Sequence, residues 1–279
     1  MRAAPLAAAL VAPLAVAIAF SLVPALIRPA ASPGLGREEP VHAGFSLSKT
    51  GLEGLIADLP EETRARIGAR PRDFLDLLAG LLDGPQDLLT LVDKAHGLSR
   101  DWAPADLVPL SRYPLSTSKP DLRLRAALIP DLLPMAGAAA AAGAPLVISS
   151  AWRSYDYQET LFQAGLRTRA LEDVERTLAP PGHSQHQLGT AIDFGSIDVS
   201  FARTAAGRWL ADNAGAYGFS LSFPEGQECL TGYSWEPWHY RYVGRSAARL
   251  ISEFFSGRQQ EMLAFYAASA AAFGQRRKI

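Results

Sequence analysis

The chain has 279 residues, enough for one sizeable domain with a smaller attachment, or for two small domains. Apolar residues make up 48% and charged residues 20%, which excludes disorder over the whole length. The formal net charge is -1 and the only basic run is the short Arg276-Arg277-Lys278 tail, expected to be solvated, so a nucleic-acid partner is excluded.

Arg2 is followed by an uncharged, mostly apolar run over residues 3–27 and then by small residues and prolines. A basic start before such a run reads as an export signal, and its length would also span a bilayer. Residues 1–31 are therefore expected to be a cleaved signal peptide or a membrane anchor. The rest of the chain is expected outside the cytoplasm, in the periplasm or on the outer face of the cytoplasmic membrane. Residues 32–90 read as a Pro/Gly-rich linker and a small helical region that packs on the main domain. Phe74, Leu77, Leu78, Leu81 and Leu82 recur at helical spacing, and Gly84-Pro85 ends that run.

From residue 91 to 279 the signals alternate. Residues 121–142 are expected to be mostly helical, kinked or split by Pro130 and Pro134 and closed by Gly143. A short apolar strand follows at 146–150. A helix is expected over 156–171, with Asp156 and Glu159 as a capping box. Strands are expected at 190–194, 219–223 and 238–243. A helix over 206–216 stops at Gly218, and a closing helix or helix pair runs over 250–272. The single cysteine, Cys229, lies in an expected loop and reads as a partly buried free thiol; it excludes an intramolecular disulfide and a cysteine-based zinc site. Without a regular βαβ beat, this order points to an α+β fold. The expected architecture is a small, mostly antiparallel sheet flanked by helices, with a metal site on the sheet and a helical region before it.

The chemistry concentrates in Ser184-Gln185-His186-Gln187-Leu188-Gly189-Thr190-Ala191-Ile192-Asp193 and in Glu236-Pro237-Trp238-His239. A zinc hydrolase needs three nitrogen or carboxylate ligands and an open fourth position. It also needs a carboxylate that is not a ligand, near enough to take a proton. His186, Asp193 and His239 are the candidate ligands of one zinc ion and Glu236 the candidate base, although each alone also reads as a turn, capping or surface residue. On a strand Asp193 shares a face with Ala191, while Thr190, Ile192 and Phe194 take the other. Glu236 lies three residues before His239, which a regular strand would place on the opposite face. Pro237 cannot donate a ladder hydrogen bond, so a bulge or an irregular strand start is expected there. His183 and His186 also form a His-x-x-His pair that could hold metal, although His183 follows Pro180-Pro181-Gly182 on an expected loop rim. His42 and His96 read as structural or surface residues. Arg153, between a strand end and a helix start, can stabilise an oxyanion or a substrate carboxylate.

Ser-x-His-x-x-Gly-x-Ala-x-Asp with Glu-x-Trp-His resembles the VanY-type D-alanyl-D-alanine carboxypeptidases, part of a wider group that includes lysostaphin-type peptidases and the hedgehog signalling domain. The resemblance extends to Ser150-Ala151-Trp152-Arg153-Ser154-Tyr155-Asp156-Tyr157-Gln158 and runs from about residue 91 to about residue 255. It implies that His186, Asp193 and His239 bind zinc, that Glu236 is the base and that Arg153 polarises the scissile carbonyl. It places Gln158 and Ser184 near the bound peptide. It further implies a D,D-carboxypeptidase acting on the terminal D-Ala of peptidoglycan stem peptides or muropeptide precursors. An L,D-carboxypeptidase or a peptidoglycan endopeptidase would use the same site. A non-catalytic, zinc-containing cell-wall-binding domain would be expected to lack the base or the arginine, and this chain has both.

Overall fold

The computed structural model describes residues 38–278. The expected signal or anchor at 1–31, and the first part of the linker, lie outside the described residues. Among the described residues no helix is long and apolar enough to cross a membrane.

Three helices open this part of the chain: α1 (Lys49–Leu55), α2 (Glu61–Ala69) and α3 (Pro71–Asp83). Ser48 caps α1 by accepting from the Gly51 amide, and Pro71 occupies the first turn of α3, where its missing N–H costs nothing. A hairpin-like pair, β1 (Leu107–Pro109) and β3 (Arg123–Arg125), brackets β2 (Ser116–Thr117). Then come α4 (Ile129–Ala141), β4 (Val147–Ser150), α5 (Tyr155–Leu166), α6 (Leu171–Glu175), β5 (Ala191–Phe194) and α7 (Ala205–Asn213). The chain ends with β6 (Phe219–Leu221), α8 (Glu228–Thr231), β7 (His239–Tyr242), α9 (Arg245–Phe254) and α10 (Gln259–Gly274).

The main sheet has the order β2-β4-β5-β7-β6, with β2 parallel to β4 and every other pair antiparallel. The α+β class and the mostly antiparallel sheet therefore hold. The register sets Asp193 opposite His239 and Ile192 opposite Tyr240. Because side chains alternate, Ile192, Phe194, Tyr240 and Tyr242 turn into a core with Leu132, Met135 and Leu210 of the covering helices. Asp193 and His239 take the opposite face. A second core joins α3 to α9 and α10, where Phe74 packs edge-on against Phe254 and Phe273. The early helices thus share their interior with the closing helices.

Several local expectations are corrected. Residues 121–128 are not helical: Arg123–Arg125 pairs with β1, Leu124 is fully buried, and only a 3-10 turn leads into α4. Pro130 does not split that helix; it sits in its first turn, and the helix continues past Pro134. α5 is capped by Ser154, whose Oγ accepts from the Tyr157 amide at 3.1 Å, while Asp156 and Glu159 pair with Arg100 instead. That helix ends at Leu166 rather than near 171. Cys229 is exposed and lies in α8 rather than in a loop. The C-terminal tail is not simply solvated: Arg277 pairs with Asp83 and bridges to Phe45, and the Lys278 amide donates to the Gly44 carbonyl.

Phe74 is fully buried at the centre of the helical core. Phe74→Ala should destabilise the fold by about 3–5 kcal/mol. Urea unfolding followed by both circular dichroism and tryptophan fluorescence checks this. One coincident, lowered transition is expected, and an early transition in only one signal would show the helical core melting by itself.

Candidate active site

His186 sits on a 3-10 turn, Gln185–Leu188, whose N-cap is Ser184: its Oγ accepts from the His186 amide at 3.3 Å. Gly189 closes the turn at φ 70°. A side chain there would be strained, and its Cβ would also lie about 3.0 Å from Arg125 and 3.1 Å from Leu107 and Pro104. The Ala151 carbonyl accepts from His186 Nδ1 at 2.7 Å, so Nδ1 carries the proton and Nε2 keeps its lone pair. Nε2 lies 3.2 Å from Asp193 Oδ2. Across the register, His239 Nδ1 lies 3.0 Å from Asp193 Oδ1 and 3.6 Å from Glu236 Oε2. The chain reaches β7 through a turn rather than a bulge. The His239 amide donates to the Glu236 carbonyl at 3.0 Å, with Pro237 and Trp238 at the bend. Pro237 suits the second position of such a turn, and the turn brings Glu236 round to the side of His239.

The donor atoms of His186, Asp193 and His239 all lie within 4.8 Å of one another, and all three residues are buried. Among the described residues this is the one such group. Ligands about 2.0–2.1 Å from a tetrahedral zinc stand about 3.3 Å apart, and the 4.8 Å limit on the three donor atoms leaves them near enough to close on one ion. Asp193 Oδ1 is buried without a hydrogen-bond donor, which a bound cation would remedy. Burial works against charge on Asp193, yet the neighbouring His186 and His239 hold its carboxyl well below the usual carboxylate range. Burial, and then the Arg153 charge, push His186 down to about 4, which keeps its imidazole neutral. Two imidazole nitrogens and one carboxylate make a donor set that fits zinc. Burial pushes the Glu236 carboxyl up to about 7, with the Asp193 charge adding to the rise. A carboxyl poised near neutrality can both take and return a proton.

Arg153 is more tightly held than its sequence position foretold. Its Nε and Nη2 donate to Ser150 Oγ at 3.1 and 2.9 Å, and Nη2 also donates to Asp193 Oδ2 at 2.9 Å. Nη1 has a longer 3.3 Å bond to Gln158 Oε1. Gln158 is itself buried and anchored by donation to the Ala179 carbonyl at 2.7 Å. All seven expected site residues line one cleft of about 810 Å³. His183 lines it too but does not join the triad, and its Nδ1 bonds the Asp93 carbonyl at 2.7 Å. His42 and His96 pair instead with Asp76 and Asp93, away from the triad.

Sequence reasoning missed four contributors. Ser150 anchors Arg153; its place at a strand end, three residues before the arginine, was the available signal. Phe223 packs its ring 4.9 Å from that of His239 and 4.7 Å from that of Tyr233. Tyr233 brings a buried hydroxyl without a partner to the cleft. Gln185 Oε1 lies 3.4 Å from His239 Nε2, and nothing in the spacing marked it.

The VanY family model, described as D-alanyl-D-alanine carboxypeptidase, matches residues 121–245. The putative carboxypeptidase YodJ of Bacillus subtilis is 34% identical over 179 residues, covering 62% of this chain and 66% of that protein. A D-alanyl-D-alanine carboxypeptidase of Enterococcus faecium is 37% identical over 107 residues, 38% of this chain and 33% of that one. The chain thus spans two thirds or less of these two relatives. Among solved structures, the LdcB LD-carboxypeptidase shares 32% identity at a TM-score of 0.59, covering 65% of this chain and 88% of that chain. A mutant of the vancomycin-resistance D,D-pentapeptidase VanY in complex with Zn(II) shares 28% identity at a TM-score of 0.53, covering 63% and 99%. The motif, the sheet that carries it and these similarities agree: the chain belongs to the VanY-type D-alanyl-D-alanine carboxypeptidase family.

Proposed function

We propose that this protein is an exported zinc carboxypeptidase that removes the terminal D-Ala from peptidoglycan stem peptides. The observation that carries the reading is the convergence of His186, Asp193 and His239 on one point, with the buried Glu236 carboxyl beside them. Relatives named as D-alanyl-D-alanine carboxypeptidases support the substrate class. The apolar run after Arg2 supports export. A second reading, an L,D-carboxypeptidase, is favoured by the likeness to LdcB.

His186 Nε2, the Asp193 carboxylate and His239 Nδ1 would hold zinc. When bound, zinc acts as a Lewis acid that polarises the scissile carbonyl and acidifies water. Glu236 takes a proton from the attacking water on its carboxylate and passes it to the leaving amine as the C–N bond breaks. Arg153 offers its guanidinium to the carbonyl oxygen as negative charge develops there. Gln158 and Ser150 hold that guanidinium in place. Ser184 shapes the turn that presents His186 and lines the cleft beside it. The products are a shortened peptide with a new carboxylate and free D-Ala.

Purified protein should carry one zinc per chain by metal analysis. His186→Ala or His239→Ala should lose it and His183→Ala should keep it; full occupancy in the His186→Ala protein would sink the ligand assignment.

Glu236→Gln should retain zinc and lose about 10²–10⁴-fold in turnover. The assay uses defined tetra- and pentapeptide muropeptides, with the released residue identified by chiral mass spectrometry. D-Ala released from the pentapeptide supports the D,D reading, and D-Ala released only from the tetrapeptide supports the L,D reading.

Arg153→Ala should lower kcat and kcat/KM together by about 10²–10³ if the guanidinium stabilises developing charge. Arg153→Lys, which lacks the planar fork, should recover only part of this. A raised KM at constant kcat would show ground-state binding of a substrate carboxylate instead.

A further inference from the structure

His239 has two ring nitrogens, and the zinc reading requires Nδ1 to carry the lone pair. The site itself pulls the other way, because Nδ1 lies 3.0 Å from Asp193 Oδ1, an acceptor that would welcome a proton there. We propose that Gln185 is a positioning residue that keeps the proton of His239 on Nε2, and that Gln259, the first residue of α10, sets the orientation of Gln185. This inference rests on the zinc reading above.

The polarity of the chain of contacts begins at the Ser220 main-chain carbonyl, a group that can only accept. Gln259 Nε2 donates to it at 3.2 Å, which directs Gln259 Oε1 away. That oxygen lies 3.4 Å from Gln185 Nε2, which donates to it. Gln185 Oε1 is thereby turned to the other side, where it accepts from Ser222 Oγ at 2.7 Å and from His239 Nε2 at 3.4 Å. Both glutamines are buried, Gln259 to 1% and Gln185 to 7% exposure, so water does not readily substitute for a link. Flipping Gln259 would set two carbonyl oxygens against each other at Ser220. Flipping Gln185 would aim N–H groups at His239 Nε2 and shift the ring proton to Nδ1, where a metal must bind. An acceptor on the non-ligating nitrogen is a general way of fixing a histidine ligand's tautomer. His186 uses the Ala151 carbonyl for that purpose. His239 has no such main-chain partner for Nε2, and the side-chain relay takes its place.

The test combines zinc affinity, from competition with a chelator, with the ¹⁵N spectrum of the zinc-loaded protein. Wild type should show a protonated Nε2 and a metal-bound Nδ1 for His239. Gln185→Met, similar in length but without the acceptor, should bind zinc about 10–100-fold more weakly. Gln185→Glu keeps the acceptor and should stay within about threefold of wild type. Gln259→Met touches neither ligand, yet should weaken zinc binding in the same direction and populate both tautomers in the metal-free protein. A zinc affinity within twofold of wild type in Gln185→Met, or an unaltered Gln259→Met, would overturn the relay. Should Gln185→Met fail to fold, the wild-type spectrum still decides, because metal on Nε2 of His239 refutes the proposal outright. Wild-type protein that takes up no zinc would refute the zinc reading itself, a result distinct from normal uptake that is indifferent to Gln185.

Discussion

The interaction on which the site depends is the charge balance around Asp193. This carboxylate lies almost fully buried on the middle strand of the sheet, where burial alone would neutralise it. Its Oδ2 accepts from Arg153 Nη2 and lies 3.2 Å from His186 Nε2, while Oδ1 faces His239 and has no donor. One acid thus lies between a fixed cation and two imidazoles. Arg153 supplies permanent compensation on one oxygen and leaves the other as the unengaged atom. The same guanidinium lowers the pKa of His186, so the arginine that lines the cleft also keeps that imidazole neutral.

The scaffold serves this balance by backing the sheet with a packed core. The other face of β5 and β7 is filled by Ile192, Phe194, Tyr240 and Tyr242. One register step behind His239, Arg241 is fully buried with no carboxylate partner, and burial brings it down to about 9, still cationic near neutrality. Its Nη2 donates to the carbonyls of Leu88 and Thr90 at 2.8 Å each. Leu88 belongs to the core beneath the sheet and Leu89 to the helical core. Arg241 therefore ties the segment between the two cores to the strand that carries His239.

The grouping of His186, Asp193 and His239 with Glu236 was legible in the sequence because each residue sits in a marked local pattern. A histidine before a glycine turn, an acid inside an apolar strand and a glutamate two residues before Trp-His each carry a spacing that only a few backbone shapes accommodate. Strands β4 to β7 were legible from apolar runs while the edge strand β2 was not, and α3 was legible from helical periodicity ended by Gly84. What stayed hidden depended on partners distant in sequence. β3 is short and carries two arginines, and it becomes a strand because β1 pairs with it. Asp156 and Glu159 have the spacing of a cap, yet Ser154 was the better-placed acceptor and Arg100 claimed both acids. The tail looked solvated because Asp83, its partner, lies 194 residues away. Gln185 was hidden for the same reason, since its role depends on residues 222, 239 and 259 meeting in space.

Relatives described as D,D-pentapeptidase and as LD-carboxypeptidase share this architecture with the chain, so the architecture by itself does not choose between their substrates. The choice must come from the walls of the cleft. Part of the wall here is built by residues outside the 121–245 match to the family model. Asp93 and Gln260 line the cleft and bond to each other at 3.0 Å, and the Asp93 carbonyl holds His183. Asp93 follows the segment that Arg241 ties down, and Gln260 lies in the first turn of α10. The helical core that joins α3 to α9 and α10 therefore does more than bury apolar surface. By fixing where residues 93 and 260 stand, it sets one side of the space that a peptide must enter, at a place where the shared motif is silent.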